Sequence, residues 1–114
     1  MNLTSFINPG IAVDMIKKQI KKQLNKEIEN FEIFYLAEKD KMYFIIEIEP
    51  GKKENFLFPN DTIKALIEIQ AKTSLKKNQQ LTAVRMEVNK DNNIVAYIYL
   101  IENGEKLVLK NKIN

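Results

Sequence analysis

The reactive side chains of this sequence are lysines, carboxylates, four tyrosines and a few hydroxyls, because histidine, cysteine and tryptophan are all absent. Without histidine no side chain has an ordinary pKa near neutrality, and without cysteine there is no easily activated nucleophile. Disulfides and thiolate-held zinc are excluded for the same reason. Ser5 and Ser74 have no imidazole to draw off a proton. Gly10, Gly51 and Gly104 lie far apart, so no glycine-rich loop can wrap its amides around a phosphate.

Two spacings come nearer to catalysis or metal binding. Glu47 and Glu49 stand two apart in an apolar run that reads as a strand, so both project from one face, as a paired acid and base must. Acids that alternate along the outside of a sheet more commonly solubilise it or guard its edge. The stretch NKDNN, residues 89–93, has the amides and acid of a calcium loop but lacks its glycine and its distant bidentate glutamate. Asparagines there suit left-handed turn geometry instead. The expectation is a protein that is not an enzyme and has no cofactor, metal or small-molecule substrate.

The strongest charge pattern is basic. Lys17, Lys18, Lys21, Lys22 and Lys26 follow one another with no intervening acid, while the other 13 basic residues are outnumbered by 15 acidic ones. Such a stripe could hold nucleic acid by counterion release, which needs no specific geometry. Lysines on the outer side of a packed helix more often just keep it solvated. Arg85 is the chain's one arginine, which argues against base readout through bidentate contacts. Residues 11 to 77 run in the helix, three strands, helix order of double-stranded RNA-binding domains, yet the second helix offers only Lys64 where that mode needs a lysine cluster. Lysine (17), isoleucine (16) and asparagine (13) dominate the composition, which points to an AT-rich genome such as that of a bacterium, a phage or another mobile element.

The elements that must carry these residues can be read from periodicity. Val13, Ile16, Ile20, Leu24 and Ile28 recur at helical spacing behind Asn8, a good N-cap, and Pro9, which suits a first turn. The segments FEIFYLAE and MYFIIEIE predict two strands joined by a three-residue loop, Lys39 to Lys41, and EPGKKE turns the chain into a short run, NFLF. PND then caps a second helix with Ile63, Leu66, Ile67, Ala71 and Leu75 on one side. LTAVRMEV, IVAYIYLI and EKLVLK follow as strands, the last two joined by Asn103-Gly104, a strong hairpin signal. The expected fold is α+β: two helix-strand-strand-strand units, a pseudo-repeat of 9–58 and 59–110, forming a mostly antiparallel sheet in a single domain, with both helices on one face. No apolar run approaches the roughly 20 residues needed to cross a bilayer, and MNLTSFINPG does not read as a signal peptide, so a cytoplasmic protein is expected, in the host cytoplasm if phage-encoded.

Register then exposes a second apolar face. Pairing Glu102 with Glu105 sets Leu100 against Leu107 and Ile98 against Leu109 on one side, and Tyr99 against Val108 on the other. If Val88 meets Ile94, the core side takes Val84, Met86, Val88, Ile94, Ala96, Ile98 and Leu100. The opposite side collects Leu81, Ala83, Arg85, Val95, Tyr97, Tyr99, Ile101 and Val108, with Arg85 opposite Tyr97. In the first hairpin the three-residue loop puts Phe34, Leu36, Phe44 and Ile46 on one side, and Ile33, Tyr35, Tyr43 and Ile45 on the other. Two helices can cover only one face, so the second must be closed by the sheet itself, by another copy or by a different protein.

Tyr97, Tyr99, Val95, Ile101, Val108, Arg85, Tyr43 and Ile45 are therefore the expected partner-binding residues, tyrosine offering a large ring with a polar tip. The expected function is protein binding, by homo-oligomerisation or by occupying a target, in the manner of small inhibitors, immunity proteins and phage anti-defence proteins. Nonspecific nucleic-acid binding through the lysine stripe is the alternative, and a structural part of a phage or other assembly the third. No membrane contact is expected, since the apolar side of the first helix lacks aromatics.

Overall fold

The Asn60 side chain accepts a hydrogen bond from the Ile63 amide at 3.0 Å, so the second helix starts where PND signalled it. The computed structural model of the chain describes residues 9–58, 60–91 and 93–112. Asn8, the expected cap of the first helix, and Ser5 lie outside the described residues, as do the side chains of Val13 and Leu66. The order is α1 (Pro9–Leu24), β1 (Phe31–Leu36), β2 (Lys41–Glu49), β3 (Lys52–Leu57), α2 (Asp61–Thr73), β4 (Gln79–Val88), β5 (Ile94–Glu102) and β6 (Glu105–Lys112). The strands form one antiparallel sheet ordered β3-β2-β1-β4-β5-β6. The α+β class is as expected. No described helix is long and apolar enough to cross a membrane.

One apolar cluster holds these elements together. Ile16 and Ile20 of α1 and Ile63, Ile67 and Ala71 of α2 pack with one face of the sheet, including Ile33, Phe44, Val84, Ile98 and Leu100. Each such large side chain, fully buried, contributes roughly 1.5–3 kcal/mol. Phe44 anchors the β2–β3 end, with the Phe56 ring stacked at 5.2 Å and the Phe58 ring edge-on at 6.1 Å.

Hairpin chemistry sets the register in the second half. Asn103 (φ 50°) and Gly104 (φ 82°) both take positive φ, and Glu102 faces Glu105 across the turn. Val88 faces Ile94, and Leu100, Ile98 and Tyr99 face Leu107, Leu109 and Val108.

Four local expectations are corrected. The first hairpin loop has four residues, Ala37 to Asp40, because Asp40 turns left-handed (φ 50°) and Leu36 already faces Lys41. That odd shift in register exchanges faces: Ile33 and Tyr35 join Phe44 and Met42 in the core, and Phe34 and Leu36 join Tyr43 and Ile45 outside. Leu81 belongs to the core, 7 % exposed, because β4 shifts register between Leu81 and Ala83 and Leu81 pairs with Leu100. The first helix stops at Leu24, where Asn25 takes φ 55° and its N–H bonds the Lys21 carbonyl at 2.7 Å. Ile28 therefore packs against the core from a loop. The third strand starts at Lys52, earlier than the run NFLF, as Lys52 and Lys53 pair with Glu49 and Glu47.

Candidate protein-binding face

Side chains on the outer face of β1, β2, β4, β5 and β6 alternate with core residues, so the same registers that build the core fix this surface. Among the described residues the sheet is open, with β3 and β6 as its unpaired edges. Tyr43, Ile45, Val95, Tyr97, Tyr99 and Ile101 lie on the outer face half-buried, Ala83 is buried among them, and Val108 is 54 % exposed on the last strand. Phe34 and Leu36, which the sequence put elsewhere, complete the patch beside them, the Phe34 ring 6.4 Å from that of Tyr99. Near the start of β1 an open cleft of about 340 Å³ is lined by Ile45 and Val95 with Glu32, Glu47, Glu87 and Lys53.

Arg85 organises the centre. Its Nη1 donates to Glu32 and Glu87 at 2.9 Å each, its Nε donates to the Tyr99 hydroxyl at 3.1 Å, and its guanidinium carbon lies 4.2 Å from the centre of the Tyr97 ring. Partial burial pulls the guanidinium pKa down, but the hydrogen bonds to Tyr99 and Glu32 outweigh it and hold it above its ordinary value. Partial burial, then the Glu87 carboxylate, pushes the Tyr97 phenol up. With its Nη1 and Nε donors engaged and its plane over Tyr97, Arg85 fixes two rings in place on this face.

The lysine stripe divides. Lys18 and Lys22 are exposed on α1, Lys17 is half-buried, and Lys21 makes an ion pair with Glu27 at 3.1 Å. Lys26 lies past the end of the helix and so leaves the stripe. The two glutamates considered as an acid and base pair face lysines: Glu47 also accepts from the Gly51 amide at 2.6 Å, closing the β2–β3 turn. Asn89 closes the NKDNN turn, its side chain accepting from the amides of Asp91 and Asn93 at 2.9 and 3.0 Å. Among the described residues no three acidic side chains converge to hold a metal ion.

A second polar cluster escaped the sequence reading. Tyr35, 1 % exposed, has its hydroxyl 2.8 Å from Glu68 of α2 and 3.2 Å from Asp40 of the first hairpin loop. Lys64 donates to the Asp40 side chain at 3.2 Å and to its carbonyl at 3.0 Å, and Lys72 pairs with Glu68 at 2.7 Å. The helical spacings of Asp61 with Lys64 and of Glu68 with Lys72 were visible in the sequence, but nothing local tied them to Tyr35. The cluster clamps the β1–β2 loop to α2.

Compared with protein-family models, with curated proteins and with solved structures, the chain matches none.

Proposed function

We propose that this chain is a small non-enzymatic module that works by protein contact, through the outer face of its sheet. The observation that carries the reading is a continuous set of large apolar and aromatic side chains, Phe34, Leu36, Tyr43, Ile45, Tyr97 and Tyr99 among them, on the side of the sheet opposite both helices. Monomeric proteins seldom leave such a face to water. Its occupant is a second copy or a target protein, and blocking a target is how small inhibitors, immunity proteins and phage anti-defence proteins act. The order of elements also fits two helix-strand-strand-strand units, 9–58 and 59–110, whose first strands, β1 and β4, meet at the centre of the sheet.

Light scattering behind a sizing column, over a range of concentrations, tests the reading. A dimer or larger ring that Tyr43→Glu with Val95→Glu dissociates, at unchanged circular dichroism, supports self-association and admits a structural role in a larger assembly. A monomer calls for capture of a partner from host lysate, and loss of that capture in the same double variant supports a target. Association or capture indifferent to the two substitutions rejects the face.

Nonspecific nucleic-acid binding has one observation in its favour, the exposure of Lys18 and Lys22 on one helix. Lys18→Glu with Lys22→Glu should then weaken retention on DNA or RNA, steeply so with salt. No retention at low salt removes that reading.

A further inference from the structure

The two edges of the sheet differ in character. β3 opens with Lys52, Lys53, Glu54 and Asn55, all exposed and charged in both signs or polar, which discourages an incoming strand. β6 has three apolar residues in a row, Leu107, Val108 and Leu109, of which Val108 is 54 % and Leu109 40 % exposed.

Hairpin geometry fixes which backbone groups of β6 are free. Across a two-residue turn the flanking pair, here Glu102 and Glu105, exchanges hydrogen bonds, and bonded and unbonded pairs then alternate along the ladder. Glu105, Leu107 and Leu109 thus bond to β5, while Lys106, Val108 and Lys110 turn their N–H and C=O groups to the outer edge. These three also face Ile101, Tyr99 and Tyr97, so their side chains lie on the outer face of the sheet. Lys110 sits 5.7 Å from the Tyr97 ring, and neither it nor Lys106 has a carboxylate partner among the described residues. The edge presents cation, apolar group, cation, at every second residue, with a free donor and acceptor beside each.

We propose that the outer edge of β6 receives an extended acidic segment of a partner protein, whose carboxylates, four residues apart, meet Lys106 and Lys110 and whose apolar residue between them meets Val108. This rests on the protein-binding reading above and names the chemistry of the partner. Charge selects this occupant over a second copy. The two antiparallel self-pairings that engage most of the strand both set lysine against lysine: Lys106 of each copy meets Lys110 of the other when the pairing is centred on Val108, and Lys112 when it is centred on Leu109. An acidic strand turns both repulsions into cross-strand ion pairs and adds main-chain hydrogen bonds. It also lengthens the sheet beside Tyr97 and Tyr99, bringing the rest of the partner over the outer face.

The probe is a capped seven-residue peptide with glutamates at its second and sixth positions and valines between them, added to the full chain. Fluorescence anisotropy should show saturable binding, and amide exchange should slow at Lys106, Val108 and Lys110. Lys106→Glu with Lys110→Glu should weaken binding about tenfold. N-methylation of the central valine, which leaves the charges and removes one ladder donor, should abolish it. Equal binding by the methylated peptide would reduce the effect to charge attraction and overturn the proposal, as would no saturable binding at millimolar peptide. If the peptide fails while Tyr43→Glu with Val95→Glu, which changes no residue from Lys106 to Lys110 and none paired with them, still abolishes association, the edge proposal falls and the outer-face reading stands.

Discussion

The Arg85 guanidinium carbon lies 4.2 Å from the centre of the Tyr97 ring while its Nη1 bonds Glu32 on the neighbouring central strand at 2.9 Å. One side chain thus ties β1, β4 and β5 together on the face away from the helices. Arg85 is 27 % and Glu32 22 % exposed, so the pair is partly shielded from water and removing one partner costs more than it would at a fully exposed pair.

Removing this tie should cost stability. Arg85→Met leaves Glu32 and Glu87 close together without their shared cation, and we expect a loss of about 2 kcal/mol in urea unfolding at unchanged slope. Arg85→Lys should recover less than half of it, because a point charge cannot bond two carboxylates and a phenol while lying over a ring. A methionine variant as stable as the parent would show that the cluster contributes nothing.

Tyr35 predicts a pH dependence. Lys64 and then Tyr35, by hydrogen bonding, hold the Asp40 carboxyl below its usual range, and Lys72 and then Tyr35 do the same for Glu68. For both, the unfolded chain binds protons at higher pH than the folded one, so their contribution is full above the ordinary carboxylate range and is lost as pH falls through the folded values. Tyr35→Phe should cost about 1 kcal/mol at neutral pH and flatten the acid limb below about pH 4. An acid limb of unchanged slope would show that the hydroxyl does not support the two carboxylates.

The same hydroxyl titrates in the other direction. Burial, then Glu68 and Asp40, pushes the Tyr35 phenol up, so its contribution is complete below the ordinary tyrosine pKa and is lost as pH rises above it. In an absorbance titration Tyr35 should ionise only as the chain unfolds. Ionisation of all four tyrosines before any loss of circular dichroism would contradict the clamp.

Gly104→Ala isolates the turn. The residue has φ 82°, and an added Cβ would meet nothing within 4 Å, so the penalty is conformational alone. We expect about 1 kcal/mol, read as a lower melting temperature, with faster amide exchange along β6. No change in either would mean that another conformation closes the hairpin equally well.

Tyr43→Glu with Val95→Glu places two carboxylates on the outer face and leaves the core and Arg85 itself unchanged, the second carboxylate standing opposite Glu87. We expect folding to survive within about 1 kcal/mol, as for surface substitutions, while association falls at least tenfold. A large loss of stability in place of lost association would assign both side chains to the core.

Local chemistry determined much of this molecule. Asn60 caps α2 from the turn PND, Asn103-Gly104 sets a register with no freedom to slip, and alternation in β4 and β5 alone implies two apolar faces, with Arg85 opposite Tyr97. Where the turn signal was weaker, the reading slipped. The segment from Ala37 to Lys41 could close a three-residue loop, Lys39 to Lys41, or a four-residue one, Ala37 to Asp40, and only packing of Ile33 and Tyr35 beneath the helices chose the latter. α1 likewise kept its apolar period to Ile28, and only the left-handed turn at Asn25 ended it. The pairing of β1 with β4 had no sequence signature at all. It joins Glu32 to Arg85 across 53 positions and so decides the candidate site, while the packing of α2 on β1 joins Tyr35 to Glu68 across 33. Turns and caps are set by neighbours in the chain, whereas contacts between distant segments form only when burial of a shared core offsets the entropy of bringing them together.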